Sequence, residues 1–206
     1  EVLPNLSTCR SPQQMFGALA RHTLPDTLQV DPDNLVIVSV MPCTAKKYEA
    51  KLPKYHTGGR PDVDHVLTTQ ELALMIEEAG LQFPQLEPQS LDMPLGFKTG
   101  AGVIFGASGG VTEAVLRFAV EKVTGVRLSR IDFEEVRGEQ SVREATISAG
   151  DTTLRLAVVH GLKNAQDLAE KVVRGECDYD LIEVMACPGG CIGGAGQPIP
   201  QELQTR

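Results

Sequence analysis

No stretch of this 206-residue chain approaches the run of about 18 apolar residues that a membrane span needs. No charged-then-apolar segment opens it, so nothing in it points to export. Basic residues are in the minority. Nineteen Lys and Arg stand against 27 Asp and Glu, a net charge of −8 with an isoelectric point near 5.0, which argues against nucleic acid or an acidic membrane surface as partner. Histidine is sparse: the four, at 22, 56, 65 and 160, show neither HxH nor HxxxH spacing. A structural zinc site wants two ligand pairs, and only Cys187 and Cys191 make one. The five cysteines, at 9, 43, 177, 187 and 191, are odd in number, which speaks against a disulfide framework and for a reducing, cytoplasmic setting. Repeats and low-complexity linkers are missing too, while 42% hydrophobic and 22% charged residues are ordinary for a soluble globular chain.

The most informative stretch is EVMACPGGCIGGAGQP, Glu183 to Pro198. It sets two thiols four residues apart among five glycines, directly after an apolar, strand-like segment. Glycines clear side-chain bulk and let backbone N–H groups approach a ligand, and iron–sulfur clusters use both thiolates and N–H donors. A second motif, MPCTAKKYE from Met41 to Glu49, follows another apolar run, with Lys46 three residues after Cys43. That setting favours a thiolate, although a lone cysteine after a strand also serves as a small buried hydrophobe. Cys43, Cys187 and Cys191 are thus three candidate ligands at strand ends.

The remaining pattern alternates helix and strand, in the α/β or α+β class. Ser11-Pro12 caps a helix to about His22. Leu35 to Val40 reads as a buried strand, and Val63 to Leu67 as a second. Thr68 to Glu71 forms a capping box opening a helix that ends near Gly80. Residues 81–107, rich in Pro and Gly, read as an irregular excursion, followed by a helix from about Ser108 to Thr124. Strands at 131–137, 143–149 and 153–159, with turns at Gly138 and Gly150-Asp151, suggest an antiparallel meander. A helix then runs from Asn164 to about Gly175, and Tyr179 to Met185 is the last strand. Gly100 to Gly106 approaches a dinucleotide-binding turn, but Pro94 spoils the strand before it and the acidic partner is not placed.

MPCTAKKYE and EVMACPGGCIGGAGQP resemble the second and third signature loops of the iron-only (FeFe) hydrogenases, and SPQQMFG at 11–17 and GASGGV at 106–111 resemble further stretches of their catalytic domain. The resemblance covers essentially the whole chain. It implies an α/β fold of mixed sheets flanked by helices, with two lobes at about 1–100 and 101–206 and the cluster loops at strand ends between them. It also implies reversible oxidation of hydrogen at an H-cluster, a 4Fe–4S cubane linked to a two-iron unit. By that resemblance Cys43 and Cys187 are cubane ligands, and Cys191 bridges to the two-iron unit. Lys46 donates to a cyanide ligand, Pro42 and Gly190 are backbone neighbours of the cofactor, Met41 and Met185 pack it, Glu49 orients Lys46, and Ser7 relays protons. Ser7 also suits a helix-flanking cap, and Cys9 and Cys177 read as incidental. Implied partners are ferredoxin or a nicotinamide-oxidising subunit, and cluster-maturation proteins. The family's first loop, T-S-C-C-P, would fall before Glu1, so the chain reads as a fragment with three of the four cubane ligands. Alone it is expected to hold no stable H-cluster and to evolve no hydrogen. An iron–sulfur assembly or scaffold relative, or a hydrogen-sensing one, is the alternative. Such assembly relatives need neither Lys46, Met185 nor the full glycine-rich loop.

Overall fold

The computed structural model describes residues 1–97, 100–125, 134–135, 141–149, 152–187 and 189–198. Two compact units divide the chain: Thr8–Phe97 with Ala195–Arg206, and Glu1–Ser7 with Lys98–Gly194.

In the first unit, helix α1 (Pro12–Leu28) starts where Ser11 Oγ accepts the Gln14 amide and Pro12 supplies the first turn. It runs six residues past the expected end at His22. Beyond His22, Pro25 stays buried, and the helix closes on Gln29 in the left-handed conformation, whose N–H bonds Pro25 O. Gly17 lets α1 lie against the loop after it, since a β-carbon there would sit 2.6 Å from Val63 Cγ2. Strand β1 is Val38–Met41, later than the expected Leu35–Val40. Side chains occupy the backbone of 35–37 first: Arg21 donates to Leu35 O, and the Ile37 amide bonds Asp64 Oδ2. Nor is β1 fully buried, because its residues alternate between half-buried and exposed.

Helix α2 (Ala45–Ala50), which the sequence reading did not foresee, follows. Two-residue strands β2 (His56–Thr57) and β3 (Arg60–Pro61) make a small antiparallel pair. Strand β4 (His65–Thr68) then pairs in parallel with β1, Met41 opposite Thr68. It starts two residues later than expected because Val63 packs under Gly17 instead. Asp62, wholly buried, is held by Arg10 and by Thr57 Oγ1. Helix α3 (Thr69–Glu78) opens on the expected capping box, with both reciprocal bonds between Thr68 and Glu71 formed.

In the second unit, short helix α4 (Gly100–Ile104) occupies part of the stretch expected to be irregular, and α5 (Gly110–Thr124) follows. Strands β5 (Glu134–Glu135), β6 (Val142–Ala149) and β7 (Thr152–His160) form the expected antiparallel meander. The rest of the 131–137 strand, and the turns at Gly138 and Gly150-Asp151, lie outside the described residues. Helix α6 (Leu162–Val173) begins two residues before Asn164, which instead donates its side-chain amide to His160 O. Strand β8 (Leu181–Met185) returns parallel to β7, His160 opposite Met185. Helices cover both faces of this sheet. Leu116 and Val120 of α5 pack on Ala145, Ile147 and Leu156, while Leu168 of α6 packs on Val142, Ala157 and Val159. Cys177 joins the second cluster as a small apolar side chain.

Two tests follow from these contacts. The Lys47 ammonium and then the Thr68 backbone amide hold the Glu71 carboxyl down at about 2, against an ordinary 4.5. A depressed carboxyl stabilises the fold above its unfolded pKa. Glu71→Gln should therefore lower Tm at pH 7, and the gap to wild type should close as pH falls from 4.5 toward 2, measured by thermal melts across that range. Gln14 is wholly buried, and neither its Oε1 nor its Nε2 has a partner among the described residues. An unsatisfied buried amide costs roughly 1–3 kcal/mol, so the similarly shaped Gln14→Met should raise stability by about 1 kcal/mol in urea melts.

Candidate metal centre

Cys43 stands two residues after the end of β1, half-buried. Its peptide is clamped by a later part of the chain. Gly196 donates to Pro42 O at 3.2 Å and accepts from the Gln70 amide at 2.9 Å. A β-carbon on Gly196 would lie 2.8 Å from Cys43 N, so only glycine lets the two backbones meet this closely. Pro42 offers no N–H of its own and holds Gly196 through its carbonyl. In the first turn of α2, Lys46 Nζ lies 2.9 Å from Glu49 Oε2, and the Ser11 hydroxyl donates to that same oxygen at 2.9 Å. Buried Gln13 joins α1 to this segment, donating to Lys46 O and accepting from Ser39 Oγ. Met41, Pro42, Cys43, Lys46 and Glu49 thus share one end of β1 and the start of α2.

The second thiol group hangs from β8. Met185, its last residue, pairs with His160; Cys187 is half-buried and Cys191 exposed. Gly190 between them is buried with φ 97°, a conformation that disfavours any β-carbon. One placed there would meet Ser108 N at 2.6 Å and Gly106 O at 2.7 Å. Two hydrogen bonds fasten the loop to the 106–108 segment: Ser108 N–H to Gly189 O at 3.1 Å, and Ile192 N–H to Gly106 O at 3.0 Å. Behind it, the Glu183 carboxylate accepts from the amides of Gly109 and Thr112 and from Thr112 Oγ1 at 2.6–2.9 Å. An anion at the N-terminus of α5 satisfies donors that the helix leaves open.

Ser7 belongs to this second unit. It does not cap α1, a task Ser11 performs. It lies beside a groove of about 270 Å³ bordered by Leu6, Leu168, Tyr179, Leu181 and Val184. Cys9 is exposed. Gln13, Glu183 and Gly196 were not singled out from the sequence. An acidic residue inside an otherwise apolar strand was the available signal for Glu183. Gly196 carried none beyond membership of a glycine run.

The chemistry of each loop suits an iron–sulfur ligand: in one unit Gly196 packs against the Cys43 backbone, and in the other Cys187 and Cys191 flank Gly190, which packs on residues 106–108. Among the described residues no three His, Cys, Asp or Glu side chains stand close enough to hold a single metal ion, and no helix is long and apolar enough to cross a membrane.

Residues 1–195 match the family described as the iron-only hydrogenase large subunit, C-terminal domain. Over 96% of its length the chain is 51% identical to the NADP-reducing hydrogenase subunit HndD of Solidesulfovibrio fructosivorans, covering 34% of that protein. It is 47% identical, over 97%, to the periplasmic [Fe] hydrogenase large subunit of Nitratidesulfovibrio vulgaris, covering 47% of it. The cytosolic iron-sulfur assembly component 3 of Mus musculus is 37% identical over 95% of the chain, which spans 42% of that relative. The structure of a variant apo [FeFe]-hydrogenase HydA1 from Chlamydomonas reinhardtii superposes with a TM-score of 0.83 at 36% identity, over 97% of this chain and 57% of that one. The chain thus spans between a third and about half of these curated relatives. A match over nearly every residue, at identities well above 30%, settles the lineage: the chain belongs to the family formed by the C-terminal domain of iron-only hydrogenase large subunits.

Proposed function

We propose that the parent protein is an FeFe hydrogenase and that this chain supplies most of the pocket for its H-cluster. The observation that carries this reading is the Lys46–Glu49 pair at 2.9 Å, three residues beyond Cys43. A cation fixed at one carboxylate, on the helix that follows the thiol, suits a donor to an anionic ligand. The assembly relatives do not need such a group.

Cys43, Cys187 and Cys191 would hold the cubane, Cys191 also joining the two-iron unit. A cubane takes four ligands, and the fourth comes from outside these two loops. When bound, the H-cluster supplies the interconversion of hydrogen with protons and electrons. The protein's own groups do the rest. Lys46, oriented by Glu49, donates a charge-assisted hydrogen bond toward a cyanide ligand. Met41 and Met185 offer soft, uncharged packing that excludes water, and Pro42 and Gly190 present backbone. Ser7 Oγ can accept and donate a proton, as a relay requires. The relative named as an NADP-reducing hydrogenase subunit favours electron exchange with a nicotinamide-dependent subunit, whether it oxidises or reduces the nicotinamide; ferredoxin is the other carrier that fits. Cluster-maturation proteins complete the set of partners. The odd number of cysteines, five, suits a cytoplasmic site of action.

A hydrogen-evolution assay on the full-length parent, produced anaerobically with maturation proteins, tests the reading. Wild type should turn over, and Lys46→Ala should lose about 10–100-fold in activity with cubane iron retained. A parent that carries the cubane but neither evolves nor consumes hydrogen would instead be an assembly relative.

A further inference from the structure

The segment supporting the Cys187–Cys191 loop is itself held by a network that no role above uses. Ser108 Oγ lies 2.8 Å from His160 Nε2. Arg143 donates to the same Oγ at 2.8 Å and to Ser108 O at 3.1 Å. Hydroxyl and imidazole share one hydrogen bond in either tautomer, and it engages Nε2 rather than Nδ1. That Nδ1 is buried without a partner among the described residues. His160 is the last residue of β7, in register with Met185 of β8, and Arg143 stands on β6. Two strands of one sheet, β6 and β7, therefore converge on a single serine, whose backbone N–H donates to Gly189 O in the loop after β8.

Gly106-Ala107-Ser108-Gly109-Gly110 also fits the Gly-x-Ser-x-Gly pattern of hydrolase nucleophile elbows, and a histidine sits at hydrogen-bond distance. The surroundings contradict a nucleophile. Arg143 already donates to Oγ, and the Gly109 amide, which an oxyanion hole would use, is taken by Glu183 at 2.9 Å.

We propose that Ser108, locked by His160 and Arg143, is the positioning residue for the thiolate loop, fixing the backbone from which Cys187 and Cys191 reach the cluster. Through Ser108 the rigidity of the sheet passes to a loop whose glycines give it none of its own. The cluster part of this inference rests on the function proposed above; the loop part does not.

Two readouts on the full-length parent separate them. In the apo protein, Ser108→Ala should speed amide hydrogen exchange at positions 108 and 192 by about fivefold or more, the effect of losing one hydrogen bond of ordinary net strength. The core amides of Ala157 to Val159 should not change, and Ser108→Thr, which keeps the hydroxyl, should restore protection. Unchanged exchange in Ser108→Ala, a uniform rise that includes the core, or failure of Ser108→Thr to rescue would each overturn the proposal. In the anaerobically loaded protein, the electron paramagnetic resonance signature and potential of the cubane should shift in Ser108→Ala and return in Ser108→Thr. An unshifted signature would refute the cluster part. A wild-type parent that takes up no cubane would refute the proposed function and the cluster part together, while the exchange readout still decides the role in the loop.

Discussion

A β-carbon on Gly190 would lie 2.7 Å from Gly106 O, and one on Gly196 2.8 Å from Cys43 N. Contacts this short require backbone to meet backbone with nothing between, and each thiol loop is held that way. The close approach at Gly190 lets the Gly189 carbonyl and the Ile192 amide reach the 106–108 segment. The approach at Gly196 lets one residue bridge the Pro42 carbonyl and the Gln70 amide. Side chains enter as supports behind these contacts. Glu183 closes the N-terminus of α5, and the capping box of Thr68 and Glu71 closes that of α3.

Each unit solves the problem of rigidity differently. The one built on β5–β8 is a sheet covered on both faces, with Leu156 to Val159 of β7 almost fully withdrawn from water. Burying such aliphatic side chains contributes about 1.5–3 kcal/mol each, so the end of β8, where Met185 leads into Cys187, hangs from the best-packed part of its unit. The unit around β1 and β4 has a smaller sheet and uses polar ties. Arg21 bonds Leu35 O, Pro61 O and Asp64, and Arg10 and Thr57 share the buried Asp62. Buried ion pairs of this kind add little net stability, but breaking one strands a charge and costs several kcal/mol. They fix the path of residues 56–65, which ends in β4, the strand paired with β1 just before Cys43.

The sequence made the helix starts and the sheet meander legible because local chemistry decides them. Ser11-Pro12 and the Thr68–Glu71 box act within one turn, and turn residues at Gly138 and Gly150-Asp151 set the strand runs apart in the sequence. It misjudged boundaries where contacts outside the run itself took over the backbone. Arg21 and Asp64 delay β1 to Val38, Gly17 draws Val63 away from β4, and Asn164 caps from inside α6 instead of starting it. The two cysteine loops could be found from sequence because glycine bracketing thiols has few structural uses. Gln13, Glu183 and the Ser108–His160–Arg143 network could not, since each becomes meaningful only through partners 26 to 74 residues away.

Cys43, Cys187 and Cys191, and not Cys9 or Cys177, are the thiols proposed to bind the iron–sulfur group. Mass-spectrometric mapping of thiol alkylation on the full-length parent, before and after anaerobic cluster loading, tests that assignment most directly, with exposed Cys9 as internal control. The account predicts that Cys43, Cys187 and Cys191 become protected together on loading while Cys9 stays reactive. Loaded protein in which any of the three remains freely alkylated, or in which Cys9 or Cys177 becomes protected in its place, would contradict it.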